Sequence, residues 1–255
     1  MPNLIEIKNI EKSYLKAGSN FGDTKVKVLK GVTLTIEEGL CVGLIGESGS
    51  GKSTLTRLIL GLEKPDKGNG TILIEGQPVR QWIKANQGKM SVVFQDYASS
   101  INPQYTVRET IEEPLRAMGH TGNLAGKIDV LLDKVSLSPD LKDRYPHELS
   151  GGQVQRVCIA RAISTNPRCI VLDEAISSLD VSVQIQVLKL LHKLRLEMKM
   201  TYLFVAHDLQ AVAHLCNKMV FLYRGEIVEE LMSGDLANAQ NEYAKSLLAS
   251  VIPFS

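Results

Sequence analysis

Residues 41–62 read CVGLIGESGSGKSTLTRLILGL, and three textures follow one another within them. Cys41–Ile45 is almost wholly apolar, as a strand covered on both faces would be. Glycines and small polar residues then crowd Gly46–Gly51, and a helical spacing of apolar side chains runs from Lys52 to Leu62. A buried strand, a glycine turn and a helix in that order open a parallel α/β sheet. The turn has the spacing Gly46-x4-Gly51-Lys52-Ser53, which lets backbone N–H groups wrap phosphates. Gly46, Glu47, Ser48, Gly49, Ser50, Gly51, Lys52, Ser53 and Thr54 are therefore the candidate nucleotide contacts. Lys52 is placed to reach the terminal phosphates and the Ser53 hydroxyl to ligate Mg²⁺.

Upstream, LIEIKNI (4–10) and VTLTI (32–36) alternate with period two and predict half-exposed antiparallel strands joined by the polar loop KAGSNFGDTK (16–25). Downstream, TILIE (71–75) and MSVVF (90–94) predict strands, the second ending at Gln95. From about 96 to 165 helical periodicity takes over, at 107–118, 124–135 and 153–165, with Pro103, Pro114, Pro139 and Pro146 as punctuation. The α/β pattern then returns. CIVLDE (169–174) is a buried strand ending in acids, and Val183, Val187, Leu190, Leu191, Leu194 and Met198 share one helical face. YLFVAH (202–207) is a buried strand ending in His, and KMVFLYRGEIVEE (218–230) reads as a hairpin about Arg224-Gly225. The expected fold is an α/β P-loop core with an antiparallel β-subdomain and an inserted α-helical subdomain.

The bulk composition limits the function. The 255 residues, 44% hydrophobic and 22% charged, suit a globular chain with a sizeable core. Lys and Arg number 29 against 28 Asp and Glu, a net charge of +1, whereas a protein that coats nucleic acid is more basic. Cys41, Cys158, Cys169 and Cys216 form no C-x-x-C pair and read as reduced, buried thiols. MPNLIEIKNIEK (1–12) lacks the apolar region of a signal peptide. No apolar run approaches the ~18 residues a membrane span needs, so work at a membrane would require another chain.

Three further stretches carry chemistry. Asp173 ends the acid strand where Mg²⁺ would be held, and Glu174 follows as a carboxylate able to take a proton from the water attacking the γ-phosphate. His207 ends its own buried strand. A lone His is more often structural, but the end of a strand in the same sheet suits a contact to that phosphate. Gln95 offers a neutral amide at a strand end for water or Mg²⁺. Finally, ELSGGQVQR (148–156) looks like a helix entry, with Ser150 at the N-cap and Gly151-Gly152 behind it. It is a second anion-binding end in a chain that already has one.

Together these pieces resemble the ATP-binding cassette (ABC) ATPases over nearly the whole chain. The resemblance makes 46–54 the P-loop, Gln95 the glutamine loop and Leu149-Ser150-Gly151-Gly152-Gln153 the signature sequence. It makes 170–174 the acid strand with its base, Ser177-Ser178-Leu179-Asp180 the D-loop and His207 the switch histidine. Tyr14 matches the position where the family stacks a ring on adenine. The resemblance implies ATP and Mg²⁺ as cofactors, with Ser53, Gln95 and Asp173 around the metal and Glu174, His207 and Gln95 in catalysis. It also explains the second anion site: two cassettes pair head to tail, and Ser150, Gly151, Gly152 and Gln153 close over the ATP of the other chain.

A narrower likeness follows. QDYASSINPQYTVRETIEEPL (95–115) and YPHELSGGQVQRVCIARA (145–162) resemble the ATPases of the oligopeptide/dipeptide/nickel importer group. Ala175-Ile176, where most of the family has Pro-Thr, looks like the second cassette of nickel importers. The group's tail, His-Pro-Tyr-Thr-Lys-x-Leu-Leu, survives as Tyr243, Lys245, Leu247 and Leu248, with Asn241-Glu242 replacing His-Pro.

The implied function is the ATP-hydrolysing subunit of a nickel or nickel-chelate importer at the cytoplasmic face of the inner membrane. Its partners would be a second cassette, identical or paralogous, two permeases and, indirectly, an extracytoplasmic binding protein. The same role with peptide cargo is the runner-up. A soluble ABC machine acting on nucleic acid or ribosomes stands behind it, since the chain has neither an inserted coiled coil nor a second cassette. The importer-like 95–115 segment argues against export. One cassette domain is expected over 1–255, with a core of about 1–95 and 166–235, a helical subdomain of about 96–165 and a tail of 236–255.

Overall fold

The computed structural model describes residues 2–15, 25–66, 68, 70–96, 99–177, 179–206 and 209–249. They form two compact units, Met1–Ala85 with Leu203–Ser255, and Asn86–Tyr202. The chain begins with β1 (Asn3–Leu15), β2 (Lys25–Glu37), β3 (Cys41–Ile45), α1 (Lys52–Ile59), β4 (Thr71–Ile74), β5 (Gln77–Pro78) and α2 (Val79–Ala85). The second unit follows with β6 (Met90–Val93), α3 (Val107–Ala117), α4 (Ala125–Lys134), α5 (Gly151–Ile163), β7 (Cys169–Asp173) and α6 (Val181–Met198). The return brings β8 (Thr201–Ala206), α7 (Leu209–Leu215), β9 (Lys218–Tyr223), β10 (Glu226–Met232) and α8 (Glu242–Ala249).

In the first unit β2, β1, β4 and β5 lie side by side in that order, and a second set of strands runs β10-β9-β3-β8. β3 pairs parallel with β9, and every one of its five residues is buried, which is why its sequence shows no alternation. β1 buries Leu4, Ile5, Ile7 and Ile10. Its alternation breaks at Asn9, which has φ 50, where the register against β2 shifts between Ile7 and Ile10. The sequence predicts this strand only to residue 10. It continues to Leu15 because Glu11–Leu15 pairs with Lys25–Lys30 through backbone hydrogen bonds, which need no apolar pattern. Residues 16–24 of the expected loop lie outside the described residues. α1 stops at Ile59, three residues before its apolar spacing ends, because the Leu62 N–H turns back to the Arg57 carbonyl at 2.9 Å.

In the second unit β6 and β7 pair in parallel, Met90 opposite Cys169 through Val93 opposite Leu172. α3, α4 and α5 pack on one another and bury Ile111, Leu115, Ile128, Leu132, Val157 and Ile159. Pro114, expected to punctuate, sits inside α3. Burial of Ile111 and Leu115 on either side holds the helix through it, against a proline cost of about 3 kcal/mol. α5 starts at Gly151 rather than 153, and α6 at Val181 rather than 183. In both cases the polar residue just ahead, Ser150 or Asp180, takes the extended N-cap conformation. α2, α7 and α8, of seven, seven and eight residues, were not anticipated, since so few positions carry little periodicity. All four cysteines are buried and none forms a disulfide, with the Cys41 and Cys216 sulfurs 3.2 Å apart. Among the described residues no helix is long and apolar enough to cross a membrane.

Candidate active site

The loop between β3 and α1 is held by its own lysine. Lys52 Nζ donates to the Gly46 carbonyl at 2.6 Å and the Glu47 carbonyl at 3.0 Å, and the Ser50 N–H closes back on Glu47 at 3.2 Å. Gly46 has no room for a side chain, since a Cβ there would lie 2.3 Å from the Leu222 carbonyl and 2.6 Å from Ser50 Oγ. Gly51 precedes α1 at φ 111, a conformation that a residue with a Cβ avoids. α1 has no side-chain cap and no acid in its first turn, so its leading N–H groups and the positive end of its dipole face whatever enters the loop. Ser50 Oγ is buried and has no hydrogen-bond partner, while Ser53 is exposed and Thr54 buried. These donors, with the Lys52 cation, fit a nucleotide polyphosphate.

Two neighbours in the same unit brace the loop. In the β9–β10 turn Arg224 has φ 47 and Gly225 φ 88, the positive pair a tight hairpin requires. The Gly225 N–H donates to the Ser50 carbonyl at 3.0 Å, and a Cβ on Gly225 would fall 2.2 Å from the Val28 carbonyl. On the other side, the Tyr243 hydroxyl of α8 accepts from the Glu47 N–H at 2.9 Å. A cavity of about 210 Å³ is lined by Glu47, Ser48, Gly49, Ser50, Tyr223 and Arg224. Tyr14 stands on β1 with its hydroxyl donating to Glu63 and with Lys12 Nζ 5.1 Å from its ring centre. Burial and the Glu63 bond push its pKa up, while the nearby Thr54 hydroxyl pulls it down, so Tyr14 adjoins the start of α1.

The second unit holds Gln95, Ser150–Gln153, Asp173, Glu174 and Asp180. Ser150 Oγ accepts from the Gln153 N–H at 3.3 Å, and Gln153 Oε1 accepts from the Ser150 N–H at 2.9 Å, a reciprocal cap on α5. Gly152 serves packing as well, since a Cβ there would lie 2.9 Å from Val183 Cγ1. Asp173 ends β7, half-buried. Glu174 follows with φ 50, a left-handed backbone that costs a glutamate of order 1 kcal/mol or more.

The loop after Glu174 is pinned by two glutamines that were not singled out in the sequence. Gln155 of α5, wholly buried, donates to the Ala175 carbonyl at 2.6 Å. Gln184 of α6 donates to the carbonyls of Ile176 at 3.1 Å and Leu179 at 3.0 Å. The available signal was a polar residue, Gln155, at a position the α5 apolar face would otherwise fill. Asp180 is exposed and makes no side-chain cap bond to α6.

Gln95 lies two residues past β6, exposed, next to Phe94, which is 42% exposed. Arg161 of α5 holds the segment beyond it, donating to the Ser100 carbonyl at 2.7 Å and pairing with Glu113 at 2.8 Å. Between them is a cavity of about 320 Å³ whose lining includes Val93, Phe94, Ser100, Pro114, Cys158 and Arg161. Burial there pushes the Cys158 thiol up to about 11. His207 and Ser178, the expected switch histidine and a D-loop serine, lie outside the described residues.

A glycine loop closed by Lys52 ahead of an uncapped helix defines a P-loop nucleotide-binding protein. Residues 29–177 match the ABC transporter family, and the chain belongs to it. It is 42% identical over 253 residues to the metal-staphylopine import system ATP-binding protein CntF of Staphylococcus aureus (strain NCTC 8325 / PS 47), covering 98% of this chain and 100% of that one. It is 42% identical over 260 residues to the nickel import ATP-binding protein NikE of Rhodospirillum rubrum (99% and 93% covered). It is also 44% identical over 252 residues to the putative oligopeptide transport ATP-binding protein YkfD of Bacillus subtilis (95% and 76% covered). Among solved structures, the dimeric post-hydrolysis state of the ATP-binding cassette MJ0796 bound to ADP and Pi matches with a TM-score of 0.75 and 31% identity, over 90% of this chain and 98% of that one.

Proposed function

We propose that this chain is the ATP-hydrolysing subunit of an importer for nickel or a metal chelate. The observation that carries the reading is end-to-end identity of 42% with both the metal-staphylopine and the nickel import ATP-binding proteins, CntF and NikE. The chain would lie at the cytoplasmic face of the membrane, bound to two permeases that an extracytoplasmic binding protein supplies.

In this reading the loop 46–54 binds ATP, with Lys52 exchanging its carbonyl partners for the β- and γ-phosphates and Tyr14 against the adenine. Ser53, Gln95 and Asp173 would hold Mg²⁺, which when bound neutralises charge on the β,γ-oxygens. Glu174 accepts the proton of the attacking water, and His207 and Gln95 orient water and phosphate. A second cassette presents its own signature helix to this ATP, while Ser150, Gly151, Gly152 and Gln153 serve the ATP of that second chain. Val181 and Ile185, 71% and 45% exposed one turn apart beside Asp180, supply apolar surface that such a neighbour would cover. The cavity beside Phe94 and Arg161 suits a short permease helix.

Peptide cargo remains the second reading, favoured by the 44% identity with YkfD. The two separate in cells lacking this gene, complemented by the wild type or by Glu174→Gln, with labelled nickel and labelled dipeptide uptake measured side by side. Nickel uptake restored by the wild type alone, with peptide uptake unchanged throughout, supports the metal importer. Loss of peptide uptake with nickel uptake intact transfers the chain to peptides.

A further inference from the structure

The Gly46–Glu47 peptide is gripped from both sides. Its carbonyl accepts Lys52 Nζ at 2.6 Å, and its N–H donates to the Tyr243 hydroxyl at 2.9 Å. In a trans peptide the C=O and N–H point in opposite directions, so the Tyr243 bond also sets where the Gly46 carbonyl points. Tyr243 is itself built into place. The Glu229 carboxylate on β10 accepts from the N–H groups of Gln240 at 2.6 Å and Asn241 at 3.0 Å. Asn241 Oδ1 accepts from the Tyr243 N–H at 2.9 Å, and the Tyr243 ring packs on Tyr223 with centroids 4.3 Å apart.

We propose that Tyr243 is a positioning residue for the phosphate loop, coupling the C-terminal helix to nucleotide affinity through the Glu47 peptide. This rests on the ATP-binding reading above. When Lys52 leaves the Gly46 carbonyl for an incoming phosphate, the Tyr243 bond keeps that peptide from turning over. Without that bond the peptide is free to turn once Lys52 has left, and ordering the loop again around the bound nucleotide costs affinity. The tail therefore contributes to the ground-state binding of nucleotide, not to the chemical step.

The test is a titration of the purified full chain with N-methylanthraniloyl-ATP, alongside ATPase kinetics of the assembled cassettes. Tyr243→Phe keeps the ring on Tyr223 and removes only the acceptor. It should weaken nucleotide binding about three- to tenfold, the range one hydrogen bond spans, and raise KM in step. Turnover at saturating ATP should stay within about twofold of wild type, and the melting temperature within ~2 °C. Glu229→Ala, which frees the start of α8, should weaken binding similarly and add less than about twofold on top of Tyr243→Phe, because both act through one bond. Wild-type affinity in Tyr243→Phe, or a joint fall in melting temperature and turnover, overturns the assignment. Failure of the wild type itself to bind, indistinguishable from Lys52→Ala, overturns the ATP-binding reading instead.

Discussion

In the proposed mechanism Glu174 carries two demands at one position, a carboxylate and a left-handed backbone at φ 50. Its glutamine variant keeps size, hydrogen-bonding shape and backbone while removing the proposed base. Glu174→Gln should therefore bind ATP as wild type and lose turnover by ~10²-fold or more, read by single-turnover ATPase against nucleotide titration. Turnover near wild type would remove Glu174 from the mechanism. Cys158 shows the opposite economy, a titratable group kept neutral by its surroundings. Burial raises its thiol from 9.0 to about 11, so the folded chain binds this proton more tightly than the unfolded chain. The associated stability is complete below pH 9 and is lost as pH rises toward 11, at up to about 1.4 kcal/mol per pH unit. Denaturant melts across that window should fall more steeply for wild type than for Cys158→Ala. The same melts with equal slopes would show that the thiol is already ionised or solvated.

Among the elements, α5 does more than present a signature at its first turn. Its Gln153 closes the cap, and Gln155, two residues on, crosses to the Ala175 carbonyl beside Glu174. Removing Gln155 leaves that carbonyl without this donor and frees the loop that follows Glu174. Gln155→Ala should cost about 1–3 kcal/mol of stability and lower turnover well beyond what a matched core truncation does. Thermal melts and kcat on the same preparations decide it, and a stability loss with unaltered kcat would confine Gln155 to packing. Periodicity alone did not reveal this, because a buried Gln on an apolar face reads as a defect until its partner is known. The capping of α5 was legible, since the Ser150-x-x-Gln153 spacing is local. The short helices α7 and α8 were not, because two turns show too few positions for a period.

For the whole molecule, the arrangement to test is the pairing of cassettes. If Ser150 serves the ATP of a second chain, Ser150→Arg should leave nucleotide titration of this chain unchanged and abolish hydrolysis by the assembled pair. Ser150→Ala separates the cap from the shared site, with a stability cost of about 0.5–2 kcal/mol and a smaller loss of turnover. Equal loss of binding and turnover in Ser150→Arg would argue that the signature acts within its own chain. Outward features of the second unit fit pairing and docking, namely the exposed Val181 and Ile185 and the cavity beside Phe94.

The sequence by itself determined the strand, loop and helix at 41–62, the acid strand at 169–173, the hairpin at Arg224-Gly225 and the family. Each depends on residues close together in the chain, where glycine spacing, apolar runs and caps act through local sterics and hydrogen bonds. Only the tertiary structure decided that Gly225, Tyr243 and Glu229 brace the phosphate loop and that Gln155 and Gln184 hold the loop after Glu174. The Glu47–Tyr243 bond joins residues 196 positions apart. Local propensity carries no trace of such a contact, because it exists only once distant strands and helices have buried their apolar faces and brought the polar groups between them into reach.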